Sequence, residues 1–252
     1  MENSKGNIAN VQAQSAPVTG KPWLLELSEF LRSALNVTAK DIRIELRTRE
    51  LLSSMFVFAL VVSVLFNYTL DLKPTQVNDI AAGLLWLIFA FAGILGLNRI
   101  FVAESEAGTL QGLLVAPIDR SALYLGKWLS TVLFIVVAQF INVPVFSLFA
   151  NLPFQNLPAL IPVLVLGTLG FSAVGVIFSA IAANTRMREV MLPILLLPLA
   201  TPVLLAAIEL TAATLAGQPF DAVRQWWSLL IAYDVIFVTV GMLTFEAITQ
   251  DD

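Results

Sequence analysis

The sequence predicts an all-α integral membrane protein with six transmembrane helices, and three observations carry that expectation. Of 252 residues, 58% are apolar and only 13% charged, against roughly half and a quarter in ordinary soluble domains. Mean hydropathy is +0.85. The apolar residues gather in six stretches near the length a helix needs to cross a bilayer, roughly 17 to 25 residues. Composition also narrows the chemistry. Histidine and cysteine are absent, which excludes disulfides, thiol catalysis, imidazole bases and Cys/His zinc sites. With a net charge of −4, no basic surplus points to nucleic acid.

Residues 1–22 are polar, rich in Asn, Gln, Ser, Gly and Pro, and a disordered tail is expected there. From Trp23 the pattern changes. Leu24, Leu27, Leu31 and Leu35 recur at helical spacing, followed by Ile42 and Leu46 on a segment carrying Lys40, Arg43, Arg47 and Arg49. Residues 23–53 therefore read as amphipathic interfacial helix, lying flat in the headgroup layer or docking as an elbow against a partner. A six-span membrane body, 54–250, follows. Its spans are expected at Ser54 to Leu70, Ile80 to Leu97, Lys127 to Ala150, Pro158 to Ala183, Val190 to Leu215 and Trp227 to Ile248.

Orientation follows from Lys and Arg. Twelve of them fall on the side that holds both termini and the connections after spans two and four, whereas the other side holds only Lys73 and Arg224. Both termini are therefore expected in the cytoplasm.

The connection after span two, Arg99 to Lys127, is too long for a minimal turn and too polar for the membrane. Leu110, Leu113 and Leu114 line one face of a short helix, which should end before Pro117 because proline disfavours a helical conformation at the preceding residue. Gly108 permits a sharp entry to it. Glu104 and Glu106 precede it, where the helix dipole favours negative charge. Asp119 can cap the next helix. On spacing alone this is an amphipathic hook that either floats on lipid or docks on a partner. No phosphate-cradling G-x-x-x-x-G-K-[ST] loop powers it: around Gly126–Lys127, Ser121 replaces the first glycine and Trp128 the hydroxyl residue. Energy must come from a separate ATPase or from an ion gradient.

The run Glu104, Glu106, Gly108, Thr109, Leu110, Leu113, Leu114, Pro117 and Lys127 resembles the signature of ABC-2 type transporter permeases. More narrowly, three stretches resemble the cytochrome c maturation protein B family of haem-exporter permeases. They are Lys40 to Leu52, Glu104 to Lys127 and Arg188 to Ala207. Gln111 stands where related permeases often carry Glu. The resemblance implies that Glu104 to Pro117 forms a coupling helix seated on a cytoplasmic ATPase subunit that binds ATP and Mg. It implies a second copy of the chain, a haem-handling membrane protein and a periplasmic haem chaperone as partners, haem as cargo, and the bacterial cytoplasmic (inner) membrane as the setting. An ABC-2 permease for a drug, lipid or polysaccharide, an ion-coupled carrier and a structural scaffold are the alternative readings. A membrane enzyme is disfavoured because no nucleophile–base pair or metal cluster is present.

Ionisable residues at membrane depth are functional candidates by default. Glu209 and Asp234 qualify as a possible intramembrane gate, both toward the outer side, with Asp234 about 10 Å in from Trp227. Alternatively the fifth run ends in a re-entrant turn and Glu209 is interfacial. Pro144, Pro193, Pro198 and Pro202 allow bends. Gly175, Ser179 and Ala183 form a small-residue ridge, within one subunit or between two. Trp226 and Trp227 suit an outer aromatic belt and Trp128 an inner one. Haem ligation by this chain would need Met242 or Tyr233, so apolar contact with iron ligands from another protein is expected.

Overall fold

The computed structural model describes residues 23–69, 77–101, 119–150, 157–183, 185 and 187–248. Their regular structure is wholly helical. α1 is Trp23–Thr48, α2 Glu50–Thr69, α3 Val77–Ile100, α4 Arg120–Phe149, α5 Leu157–Ala183, α6 Arg188–Leu215 and α7 Arg224–Ile248, the last preceded by a single 3-10 turn at Phe220–Val223. The polar tail and all eight residues of the expected coupling segment, Glu104 to Pro117, lie outside the described residues.

Five helices, α3 to α7, are long and apolar enough to cross a membrane on their own. α2, 20 residues with a single charge at Glu50, is bent by 68° from α1 at Arg49, and the two together make up a sixth candidate span. The helix of the first span thus begins at Glu50, four residues before its apolar run. The third also starts early: Asp119 caps α4 by accepting from the Ser121 amide at 2.8 Å, as its residue type predicts. Arg120 to Gly126 therefore form a rigid stem below the third span. At 1.5 Å per residue, the 30 residues of α4 extend about 45 Å, well beyond a hydrocarbon layer of about 30 Å.

α6 is one continuous helix from Arg188 to Leu215, so the re-entrant alternative for the fifth run is not what the chain adopts. Its three prolines sit inside the helix.

Packing is organised around α5, which contacts α3, α4, α6 and α7. The ridge of small residues lies within the chain. Gly175 packs directly on Leu97 of α3, and Ser179 donates to the Leu97 carbonyl at 2.6 Å. Side-chain donors tie other helix pairs to backbone: Tyr124 to Ala173 at 3.1 Å and Trp128 to Leu169 at 3.1 Å. Trp128 is therefore turned into the bundle toward α5, not out into an inner belt. Trp86 of α3 donates to Thr211 of α6 at 2.9 Å. In a bilayer such bonds contribute about 0.6 kcal/mol each, so their number matters more than any one of them.

α1 packs on the bundle by one face and leaves the other open. Its leucines Leu27, Leu31 and Leu35 are exposed, while Ala34 and Val37 are buried against α4. The approach is close because α4 presents Gly126 there. A Cβ on Gly126 would lie 2.6 Å from the Val37 Cβ and 2.7 Å from the Ala34 carbonyl oxygen. Thr38 Oγ1 adds a bond to the Gly126 carbonyl at 3.0 Å. The leucine stripe remains available to lipid, as the amphipathic pattern predicts, with the small-residue face docked on the bundle.

Gly126→Val should therefore destabilise the chain by about 1–3 kcal/mol through overpacking. Gly83→Ala, where nothing lies within 4 Å of the added carbon, should be neutral or slightly stabilising. Thermal unfolding of the two purified variants in one detergent checks the contrast.

Candidate functional site

The polar residues with the most elaborate surroundings gather at the end of the bundle where the Arg99–Lys127 connection leaves and re-enters it. At its centre is Lys127, two turns into α4 at the edge of its apolar run and 2% exposed. An ammonium so deep in the structure persists only with close counter-charges and acceptors. It has them. Lys127 Nζ lies 3.2 Å from each oxygen of Asp41 on α1 and donates to the Ile100 carbonyl, the last residue of α3, at 3.3 Å. It also sits 5.3 Å from the ring centroid of Phe101, near the range of a cation–π contact. Asp41 is in turn held by Ser130 Oγ, which donates to Oδ2 at 3.0 Å, and by Lys40 at 3.4 Å. One buried cation thus joins α1, the end of α3 and the stem of α4.

Both roots of the connection are fixed by further contacts. At the exit of α3, Phe101 stacks on Phe245 of α7, centroids 6.5 Å apart. At the entry to α4, Ser121 Oγ donates to the Met242 carbonyl of α7 at 2.9 Å, and Tyr124 lies 5.6 Å from Phe245. The segment that carries Glu104 to Pro117 hence springs from two anchored points.

The joint between α1 and α2 adjoins this cluster. Arg49 takes the left-handed conformation, φ 57°, which costs about 1–2 kcal/mol for a residue with a side chain. Its compensation is Glu45, buried at 7% exposure. The Glu45 carboxylate accepts from the amides of Leu52 at 2.8 Å and Leu51 at 3.4 Å, capping α2 for about 1 kcal/mol. Arg99 bridges to Glu50 at 2.9 Å, which ties the start of α2 to the end of α3. Of the interfacial basic residues, Arg43, Arg47 and Arg49 are exposed and Lys40 is half-buried.

The intramembrane acids have contrasting surroundings. Asp234 is 8% exposed, lies directly against Gly170 of α5, and among the described residues has no hydrogen-bond partner for either carboxylate oxygen. Glu209 is exposed on the outward face of α6. Gln139 and Asn142 of α4 were not singled out by the sequence, yet both are buried. Gln139 donates to Thr168 at 2.9 Å, while its Oε1 and the Asn142 Oδ1 have no partner. Tyr233 donates to the Leu199 carbonyl at 2.9 Å, so its hydroxyl is already engaged. Trp227 stacks on Phe220 at the start of α7, centroids 6.1 Å apart.

Sequence reasoning also missed Asp41, Glu45 and Ser130. The signal was present: Lys127 stands at the edge of an apolar run, and an acid elsewhere had to meet it. Nothing in linear spacing says that the acid lies 86 residues earlier.

The cluster can bear force between helices, and among the described residues no group of three or more acids could hold a metal ion. Comparison with known proteins agrees with a transport architecture. A family model described as CcmB protein matches residues 32–250. Heme exporter protein B of Rhodobacter capsulatus is 31% identical over 213 residues, covering 83% of this chain and 94% of that protein. The Pseudomonas aeruginosa protein of that name is 28% identical, covering 77% of this chain and 87% of its own length, and the Paracoccus denitrificans protein is 29% identical, covering 82% and 93%. By the extent of that match, from the elbow helix to the end of α7, the chain belongs to the CcmB family.

Proposed function

We propose that this chain is the permease subunit of a haem exporter serving c-type cytochrome biogenesis, powered by a separate cytoplasmic ABC ATPase. The observation that carries the reading is the family match over residues 32–250, on a helical membrane bundle. The setting is the bacterial cytoplasmic (inner) membrane, multi-pass, with both termini in the cytoplasm; the basic residues gathered on one side support that orientation. Two copies act together over an ATPase pair that binds ATP and Mg. A haem-handling membrane protein and a periplasmic haem chaperone receive or present the cargo.

The mechanism is transmission. ATPase closure moves the segment Glu104, Glu106, Gly108, Thr109, Leu110, Leu113, Leu114 and Pro117. That motion enters the bundle at Phe101 and Asp119, where α3 and α4 are anchored. Because Lys127 joins both roots to Asp41, α1 moves with them. The Glu45-capped joint and the Arg99–Glu50 bridge pass the motion to α2 as a rigid-body tilt. Lys40, Arg43, Arg47 and Arg49 hold the elbow at the anionic headgroup layer. Asp234 and Glu209 act at the outer side as a gate, Asp234 at the contact of α7 with α5, Glu209 on the outward face of α6. Haem meets apolar surface here, with iron ligands from the partner.

Charge reversal at both Glu104 and Glu106 should lower ATP-dependent delivery at least ten-fold, equivalent to about 1.4 kcal/mol of lost coupling. The matching assay is holocytochrome c yield alongside a mild-detergent pull-down of the ATPase. Unchanged yield would remove the coupling role.

For the ion pair, Asp41→Asn or Lys127→Met alone should cost about 3–5 kcal/mol by leaving a buried charge uncompensated. The double variant Asp41→Leu with Lys127→Met should cost clearly less than the sum. Thermal unfolding measures stability. ATPase activity in the assembled complex, together with cytochrome yield, tests whether the stable double variant hydrolyses ATP without delivering cargo.

Glu209→Gln with Asp234→Asn should slow cytochrome maturation several-fold while ATPase co-purification is retained. If that pair abolishes function and the hook reversals are silent, an ion-coupled carrier replaces this reading.

A further inference from the structure

Asp234 stands near the middle of α7, about 15 Å along the helix from Arg224, and is 8% exposed. Neither carboxyl oxygen has a hydrogen-bond partner among the described residues. The fit around it is close. The facing residue on α5 is Gly170, where a Cβ would collide with Asp234 Oδ1 and lie 2.9 Å from Val203 Cγ2 of α6.

No counter-charge meets the carboxyl from the helices packed on α7. α5 carries no charged residue along Leu157–Ala183. On α6, Arg188 and Glu189 open the helix, and Glu209 is exposed on the outward face. On α4, Arg120 is the first residue and Lys127 is committed to Asp41. On α7 itself, Arg224 and Glu246 lie near the two ends. The adjacent Tyr233 donates its hydroxyl to the Leu199 carbonyl at 2.9 Å, so it does not serve Asp234.

A bare carboxylate in such surroundings is far costlier than the neutral acid. A metal cation does not resolve the problem, because hard cations take about six oxygens or more and a single carboxyl supplies two. A proton needs no cavity and no further ligand. We propose that Asp234 is an intramembrane proton-binding site, and that the bound proton keeps α7 seated on α5 at Gly170. The inference deepens the gate described above and rests on that reading for its place in transport. Ionisation breaks the O–H bond and passes the proton to water entering between α5 and α7. The bonding pair stays on the carboxylate, which retains that water and holds the contact open. Reprotonation releases the water and lets the helices close. No proton has to cross the membrane, so the site is a latch and not an ion-driven pump.

The test uses the full chain in mild detergent and reads the proton directly, without haem or ATPase. The infrared difference between the natural chain and Asp234→Asn should contain a carboxylic C=O band at neutral pH. Glu209→Gln should leave that band in place. Isotope-labelled aspartate, which moves the band without a substitution, assigns it if Asp234→Asn folds poorly. Raising the pH should remove the band. Over the same interval, amide protection around Gly170 and Asp234, taken relative to intrinsic exchange, should fall about ten-fold. Asp234→Asn, which stays neutral, should show no such step. Absence of the band at neutral pH would overturn the proposal, as would a band that titrates while protection is unchanged. If the natural chain shows both signals yet supports no cytochrome maturation, the proton site stands and the exporter reading falls.

Discussion

A single buried ammonium determines how α1, α3 and α4 hold together at one end of this protein. Removing a charge from water costs several kcal/mol, and only close opposite charge with additional hydrogen bonds offsets that cost. Lys127 meets the requirement by drawing in Asp41 from α1 and the Ile100 carbonyl from α3. Any displacement of α1 away from α4 would therefore strand a charge in a low-dielectric interior. Apolar packing alone would tolerate a slide between these helices, because lipid is as apolar as their side chains. The ion pair does not tolerate it. Gly126 makes the geometry possible, since only a residue without a Cβ lets the α1 backbone approach α4 closely enough at Ala34 and Val37.

The rest of the bundle divides accordingly. Around α5 the joints are made by small residues and by side chains bonded to neighbouring backbone, as at Ser179–Leu97, Tyr124–Ala173 and Trp128–Leu169. These favour movement of α3, α4 and α5 as one body. α6 and α7 turn broad apolar faces outward, with Ile194, Leu205, Val235 and Leu243 all exposed. Glu209 lies on the same outward face of α6. A carboxylate there is costly against acyl chains, so this face is the natural place for another protein or for water to reach the subunit.

Much of this architecture was legible in the sequence, because hydrocarbon thickness and backbone hydrogen bonding leave a membrane chain few choices. The six apolar runs correspond to α2 through α7, and Asp119 sits at its cap. What was not legible depends on tertiary contact. Periodicity put Leu27, Leu31 and Leu35 forward as the important face of α1, whereas the docked face is built from Ala34, Val37 and Asp41. Small and charged residues carry little weight in a hydrophobic pattern, so the docking face was hidden beside a stronger one. The same reason concealed Gln139 and Asn142, which look like interruptions in an apolar run until α5 is seen beside them. Trp128 misled by residue type: at an expected span edge it suggests a headgroup anchor, but α4 extends a stem below the membrane and places the indole within reach of the Leu169 carbonyl.

The polar inventory also bears on how such a subunit does its work. Without histidine or cysteine, the chain lacks the usual ligands for haem iron, and Tyr233 has its hydroxyl committed to Leu199. Most buried hydroxyl and indole groups are spent on joints between helices. The exceptions among the described residues are the Asp234 carboxylate, Gln139 Oε1 and Asn142 Oδ1. The polar groups of the bundle therefore divide into a densely paired cluster where α1 meets α4 and sparsely paired acceptors farther along α4 and on α7, and the dense cluster is what resists sliding of α1 against α4.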